Sequence, residues 1–239
     1  LGSRVLLADE VGLGKTIQAA LAIAELRARG LGDRVLILTP AGLREQWREE
    51  LSVRFSMDAT IVDARELRRR ASLAPVGVNP WATVPVAIAS TDFVKRPEVL
   101  PGACASRWDV VVVDEAHNAG ARSDRHEAAS ALCRQAPYVL LLSATPHNGD
   151  TRAFDALCDL GACERDALLV FRRSRQSVMP GSPRHVHRLS VRPTRAERVM
   201  HDRLAAYARL VHAERGDAED LQLALTVLLK RALSSPWAL

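Results

Sequence analysis

Five short runs at residues 4–8, 33–39, 84–90, 109–115 and 138–144 read "RVLLA", "DRVLILT", "VPVAIAS", "DVVVVDE" and "YVLLLSA". Each is almost continuously apolar, rich in Val, Ile and Leu, without alternation between inward and outward positions. That pattern suits strands of a parallel sheet covered on both faces. Helical patterns separate them. "GKTIQAALAIAELRARG" places Ile17, Leu21 and Ala24 on one face and closes on Gly30. "PAGLREQWREEL" aligns Leu43, Trp47 and Leu51, and "SDRHEAASALCRQA" opens on a capping residue at Ser123 or Asp124. Strands alternating with helices predict right-handed crossovers and a doubly wound, mostly parallel α/β sheet with helices on both faces.

The pattern breaks near residue 165. "VFRRSRQSVMPGSPRHVHRLSV" has no clear period, carries two prolines and is basic at Arg172, Arg173 and Arg175. It reads as a loop with a strand, leading away from the sheet. Beyond it, "TRAERVMHDRLAAYARLVHAE" and "DAEDLQLALTVLLKRAL" read as two helices. The first has Thr194 as its cap and Val199, Leu204, Tyr207 and Val211 on its apolar face.

Composition narrows the class. The four cysteines (Cys104, Cys133, Cys158 and Cys163) form no CxxC pair, which fits reduced thiols in a cytoplasmic protein. No run approaches the roughly 18 apolar residues of a membrane span. Leu1 is not an initiating residue, so a leader cannot be read. The net charge is +5 and arginine supplies nearly all of the positive side, the lysines being Lys15, Lys95 and Lys230. Arginine's planar fork suits phosphate contacts, although an Arg- and Ala-rich composition accounts for the excess equally well.

Two motifs carry chemistry. "GLGKT" at 12–16 follows a strand and opens a helix, the setting in which backbone N–H groups hold a β-phosphate. Gly12, Leu13, Gly14, Lys15, Thr16 and Ile17 are the candidate nucleotide contacts. Lys15 neutralises β/γ oxygens, and Thr16 offers its hydroxyl to Mg²⁺. The strict phosphate-loop pattern has glycine at position 9, where Asp9 stands. "VVVDEAH" ends a buried strand with adjacent carboxylates, at the rim where open α/β sheets bind ligands. Asp114 is the second candidate for holding Mg²⁺, through water, and Glu115 the candidate for orienting or deprotonating the attacking water. Lys15, Asp114 and Glu115 form the candidate catalytic set, with ATP and Mg²⁺ as the implied ligands.

"DEVGLGKTIQA", "LILTPAGLREQW", "DEAH" and "LLLSATPHNGD" follow the order and spacing of motifs I, Ia, II and III of helicase superfamily 2. More narrowly they resemble the Snf2 family of double-stranded DNA translocases, where Asp9 is usual, and "SATPHNG" resembles its bacterial RapA/HepA-like group. The resemblance implies a RecA-like ATP-binding lobe over 1–164, a basic linker over 165–193, and a helical extension over 194–239. It implies that His117, Ser143 and Thr145 couple the nucleotide to nucleic acid. It makes Thr39, Ser90, Thr91 and Lys95 candidate contacts to the DNA phosphate backbone, without sequence specificity. Trp47 reads as core rather than as a base-stacking platform.

The family also implies parts not found here. No glutamine precedes Lys15 to read adenine, and none has the following arginines of a second-lobe motif. The expectation is therefore a first lobe and connector of a larger protein. RNA polymerase or other partners would bind through further regions, no membrane would be involved, and the fragment alone would be inactive. Two alternatives stay open: a strand-separating DNA or RNA helicase lobe, and a non-catalytic nucleotide-binding docking module.

Overall fold

The computed structural model describes residues 2–119, 123–144, 151–161, 167–174, 194–215, 225–228 and 230. The chain divides into two compact units, Leu1–Ser182 and Pro183–Leu239. The first is an α/β unit. Its elements in order are β1 (Ser3–Leu7), α1 (Lys15–Ala28), β2 (Val35–Thr39), α2 (Arg44–Phe55), β3 (Thr60–Ile61), α3 (Ala64–Leu73) and β4 (Val86–Ser90). There follow α4 (Thr91–Val94), α5 (Leu100–Cys104), β5 (Val110–Val113), α6 (Asp124–Gln135), β6 (Tyr138–Leu142), α7 (Thr151–Gly161) and β7 (Leu168–Phe171).

The seven strands form one sheet in the order β3-β4-β2-β5-β6-β1-β7. Every pairing is parallel, with Ile37 opposite both Ile88 and Val112, and Val5 opposite both Leu140 and Leu169. Parallel strands need crossovers, and these put helices on both faces. Side chains alternate accordingly. Val35, Ile37, Val110, Val112 and Leu142 pack with Ala19, Ala20, Ile23, Trp47 and Leu51 of α1 and α2. Leu36, Leu38, Val111, Val113 and Leu141 pack with Phe93, Leu132, Leu157 and Leu160 on the other side. All strand C-termini therefore meet at one rim, which carries Thr39, Ser90, Asp114 and Ser143.

Two details differ from the pattern reading. On α1 the buried stripe is Ala19, Ala20 and Ile23, whereas Ile17 and Leu21 are 39% and 62% exposed. Small residues let the helix approach the sheet closely, and that gain outweighs the larger side chains one step around the helix. Residues 168–171 do not lead away from the sheet but form its edge strand, paired with β1.

Arg4 sits on β1 and is only 2% exposed. Its guanidinium donates to the carbonyls of Gly161 (3.1 Å), Cys133 (3.0 Å) and Ala136 (3.1 Å). These lie at the C-terminal ends of α7 and α6, where carbonyls lack helical partners and a cation is favoured. In the second unit, α8 (Arg195–Arg215) begins with a capping box. The Thr194 hydroxyl accepts from the Glu197 N–H at 3.3 Å, and the Glu197 carboxylate accepts from the Thr194 N–H at 2.6 Å.

Candidate nucleotide site

The turn between β1 and α1 runs through Gly12 at φ 83° and Gly14 at φ 73°. These left-handed conformations suit glycine and explain its use at both positions. Gly14 caps α1 and brings no side-chain acceptor to the first N–H groups of the helix. The Lys15 ammonium donates to the carbonyls of Asp9 (2.8 Å) and Glu10 (3.4 Å), which holds it over the turn. Thr16 is half-buried at the start of α1, beside Ile17, with Leu13 half-buried in the turn itself.

Asp114 follows β5 directly, and its N–H extends the sheet by donating to the Leu38 carbonyl at 2.7 Å. Its side chain is held on three sides. Oδ2 accepts from the indole Nε1 of Trp47 (2.8 Å) and the hydroxyl of Thr39 (3.1 Å), and Oδ1 accepts from the Glu115 N–H (2.9 Å). Glu115 has φ 47° and ψ 45°, a left-handed conformation that costs a non-glycine residue about 1–3 kcal/mol. Its Oε2 is buried without a hydrogen-bond partner. His117 Nδ1 lies 3.3 Å from this oxygen, without the alignment of a hydrogen bond. The same His117 Nδ1 lies 3.3 Å from the Ser143 hydroxyl. His117 and Ser143 are thus brought together, while Thr145 lies outside the described residues.

These parts face one another across a cavity of about 370 Å³, lined by Gly12, Lys15, Thr16, Trp47, Asp114 and Glu115 among others. The donor set fits a nucleoside triphosphate with Mg²⁺. It offers helix N–H groups and an ammonium for phosphate, a hydroxyl and one oriented carboxylate for the metal, and an acceptor with spare capacity at Glu115 Oε2. Among the described residues no group of three or more His, Cys, Asp or Glu converges as a metal site. Mg²⁺ does not require one, because phosphates and water supply most of its ligands.

The residues expected to contact DNA divide. Thr39 is fully buried and its hydroxyl is engaged by Asp114. Ser90 is buried and caps α4, accepting from the Phe93 N–H at 3.2 Å. Neither hydroxyl is exposed, because these strand-end positions pack the small side chains inward. Thr91 and Lys95 are half-buried on α4 and just after it. Lys95 pairs with Asp92 at 3.0 Å, and Asp92 also takes a two-pronged contact from Arg125 at 2.8 and 2.9 Å. A second cavity of about 230 Å³ beside them is lined by Pro40, Thr91, Asp92, Asp114, Glu115 and Arg125 among others.

Sequence reasoning missed three residues. Trp47 was read only as core, which it is at 1% exposure, yet its N–H holds Asp114. Arg125 carried no motif. Arg173 was read as part of a linker, but it binds Asp9 beside the phosphate loop.

Residues 2–165 match the SNF2-related domain family. The RNA polymerase-associated protein RapA of Cronobacter sakazakii is 42% identical over 148 residues, covering 60% of this chain and 15% of that protein. RapA of Klebsiella pneumoniae is 40% identical with the same coverage. Thus the matched region spans about a seventh of the length of these relatives. Among solved structures, the Sulfolobus solfataricus SWI2/SNF2 ATPase core in complex with dsDNA superposes with a TM-score of 0.59 at 16% identity, over 98% of this chain and 55% of that one. The Pyrococcus furiosus Hef helicase domain gives 0.61 at 21% identity, over 98% of this chain and 50% of that one. At these identities the two neighbours establish the fold.

Proposed function

This chain belongs to the SNF2-related domain family, and we propose on that premise that it is the ATP-binding lobe of a motor that hydrolyses ATP to translocate on duplex DNA. The observation that carries the reading is the shared cavity in which Lys15 and Thr16 face Asp114 and Glu115. In this reading residues 1–164 together with the edge strand β7 form the catalytic lobe, the rest of 165–193 the basic linker and 194–239 the extension toward further regions.

The first N–H groups of α1 receive the β-phosphate, and Lys15 exchanges its carbonyl contacts at Asp9 and Glu10 for phosphate oxygens. Thr16 and Asp114 hold Mg²⁺, which when bound neutralises charge on the β- and γ-oxygens. Trp47 and Thr39 keep Asp114 turned toward that position. Glu115 accepts a proton from, or orients, the attacking water through the oxygen that lacks a partner. His117 and Ser143 report the state of the γ-phosphate to the nucleic-acid face, as short polar groups can when they exchange hydrogen-bond partners.

Cationic groups facing the γ-phosphate from a second lobe typically account for about 10³–10⁵ in rate. We assign those groups to regions outside residues 1–239, and with them any association with RNA polymerase of the kind for which the RapA relatives are named. The 239-residue chain is then expected to bind Mg–ATP weakly and to show negligible DNA-stimulated turnover.

ATPase assays on the full-length protein with duplex DNA, single-stranded DNA and RNA test the reading. Stimulation by duplex DNA, lost in Lys15→Ala and Glu115→Gln, supports it. Stimulation by RNA or single strands alone would replace it with a helicase. Absence of turnover alongside nucleotide binding would replace it with a docking module.

A further inference from the structure

Asp9 departs from the glycine of the strict phosphate-loop pattern, and Arg173 stands 164 residues downstream in a stretch that carries no motif chemistry. The fold joins them. Asp9 is fully buried, at 0% exposure. Its Oδ1 accepts from the backbone N–H of Arg173 at 2.8 Å, and its Oδ2 accepts from Arg173 Nη2 at 2.6 Å and Nε at 3.1 Å. The backbones are joined as well, since Ala8 N–H donates to the Phe171 carbonyl at 2.7 Å and Glu10 N–H to the Arg173 carbonyl at 3.0 Å. The segment leaving β7 therefore continues alongside the phosphate loop beyond the end of the strand.

A third residue closes the circuit. Gln18, in the first turn of α1, accepts from Arg173 Nη2 through Oε1 and donates through Nε2 to the Leu13 carbonyl at 2.9 Å and to Asp9 Oδ2 at 3.4 Å. Arg173 thus grips both flanks of the glycine turn, at Asp9 before it and at Gln18 after it. Lys15 in turn rests on the carbonyl of Asp9.

The charge arithmetic makes this contact more than a brace. A buried carboxylate at the mouth of a phosphate cradle repels the anion the cradle is built for. Burial alone would raise the Asp9 pKa, but hydrogen bonds from Arg173 and Gln18 and the Arg173 charge more than offset it, holding the carboxyl below its ordinary value of 3.8. Asp9 is therefore ionised at neutral pH, and Arg173 is what cancels its charge. Without the guanidinium, the loop would keep a buried anion and lose the clamp on both of its flanks.

We propose that Arg173 is a positioning residue for the phosphate loop, so that seating of the segment after β7 and binding of a nucleotide's phosphates are coupled. The proposal rests on the nucleotide-site reading above. Coupling of this kind is reciprocal: whatever the seated segment adds to nucleotide affinity, bound nucleotide adds to the seating.

The test titrates Mg–ATP into the 239-residue chain, and follows hydrogen exchange at the Arg173 amide, for the wild type, Arg173→Ala, Arg173→Lys, Asp9→Asn with Arg173→Ala, and Lys15→Ala. Arg173→Ala is expected to weaken binding about tenfold, the size of an ordinary coupling. Arg173→Lys should fall between it and the wild type, because it restores charge but not the fork. The double variant should regain most of the loss, because the unpaired anion is gone. In the wild type, Mg–ATP should slow exchange of the Arg173 amide. If Lys15→Ala abolishes binding while Arg173→Ala binds within twofold of the wild type, the proposal fails and the nucleotide site stands. If Lys15→Ala binds like the wild type, or the wild type does not bind, the nucleotide reading fails and takes the proposal with it. Should Arg173→Ala not fold, Arg173→Lys and the exchange measurement decide: wild-type affinity together with nucleotide-independent exchange would overturn the coupling.

Discussion

The indole N–H of Trp47 donates to Oδ2 of Asp114 at 2.8 Å, so a core residue of α2 fixes the orientation of the carboxylate assigned to the metal. Phenylalanine keeps most of the ring and removes the donor, leaving Thr39 as the remaining side-chain donor to that oxygen. Hydrogen bonds to charged groups contribute about 1.5–3 kcal/mol, and half-exposure of Asp114 places this one at the low end. Trp47→Phe should therefore lose about 1.5 kcal/mol in urea unfolding and require more Mg²⁺ for nucleotide binding. Unchanged stability together with an unchanged Mg²⁺ requirement would show that the bond is idle.

Arg4 offers a harsher test. Its charge is buried among three carbonyls, and among the described residues no carboxylate pairs with it. Arg4→Met fills similar space but strands those acceptors at two helix ends, at about 1–3 kcal/mol for each that finds no water. The urea midpoint should fall by an amount equivalent to about 3 kcal/mol or more. A variant as stable as the wild type would mean that water replaces the guanidinium without loss.

Acid stability should depend on Glu66. Hydrogen bonds from Arg69 first, then Arg70, outweigh its partial burial and lower its pKa from 4.5 to about 2. A carboxylate depressed on folding contributes stability that is complete above its unfolded value. That contribution disappears as pH falls from 4.5 to about 2. Arg69 is well exposed, so screening reduces the effect to about 1 kcal/mol. Denaturation curves between these limits should show the wild type losing its advantage over Glu66→Gln. An advantage that stays constant with pH would contradict the assignment.

Cys133 should report global unfolding. Burial pushes its thiol up to about 12, against smaller opposing effects of Arg4 and Arg134, and its side chain is inaccessible. With the other three cysteines replaced by serine, reaction with a disulfide reagent at neutral pH should follow the unfolding rate and rise steeply with denaturant. Prompt stoichiometric labelling of the native protein would rule this out.

The five longer apolar runs were legible as strands because burial on both faces leaves no polar position to confuse the reading. "GLGKT" and "DEAH" were legible because each motif's chemistry is local. What escaped was the partnership between distant residues. Asp9 could be noticed as a departure from pattern, but its reason lies at Arg173, reached only once β7 is laid beside β1. Trp47 satisfied a helical apolar stripe so well that its single polar atom was passed over. Periodicity also misplaced the inward face of α1, where Ala19 and Ala20 give a weaker signal than Leu21 yet pack closer. The burial of Thr39 and Ser90 was not legible for a related reason, since a hydroxyl at a strand end looks the same in sequence whether it faces solvent or the interior.

Asp114 and Glu115 line both the 370 Å³ cavity and the 230 Å³ cavity beside Arg125. The same two residues thus belong to the lining of both, and Glu115 stands there in a left-handed conformation that most residues avoid. A change in the backbone conformation of Glu115 would therefore alter the lining of both cavities at once.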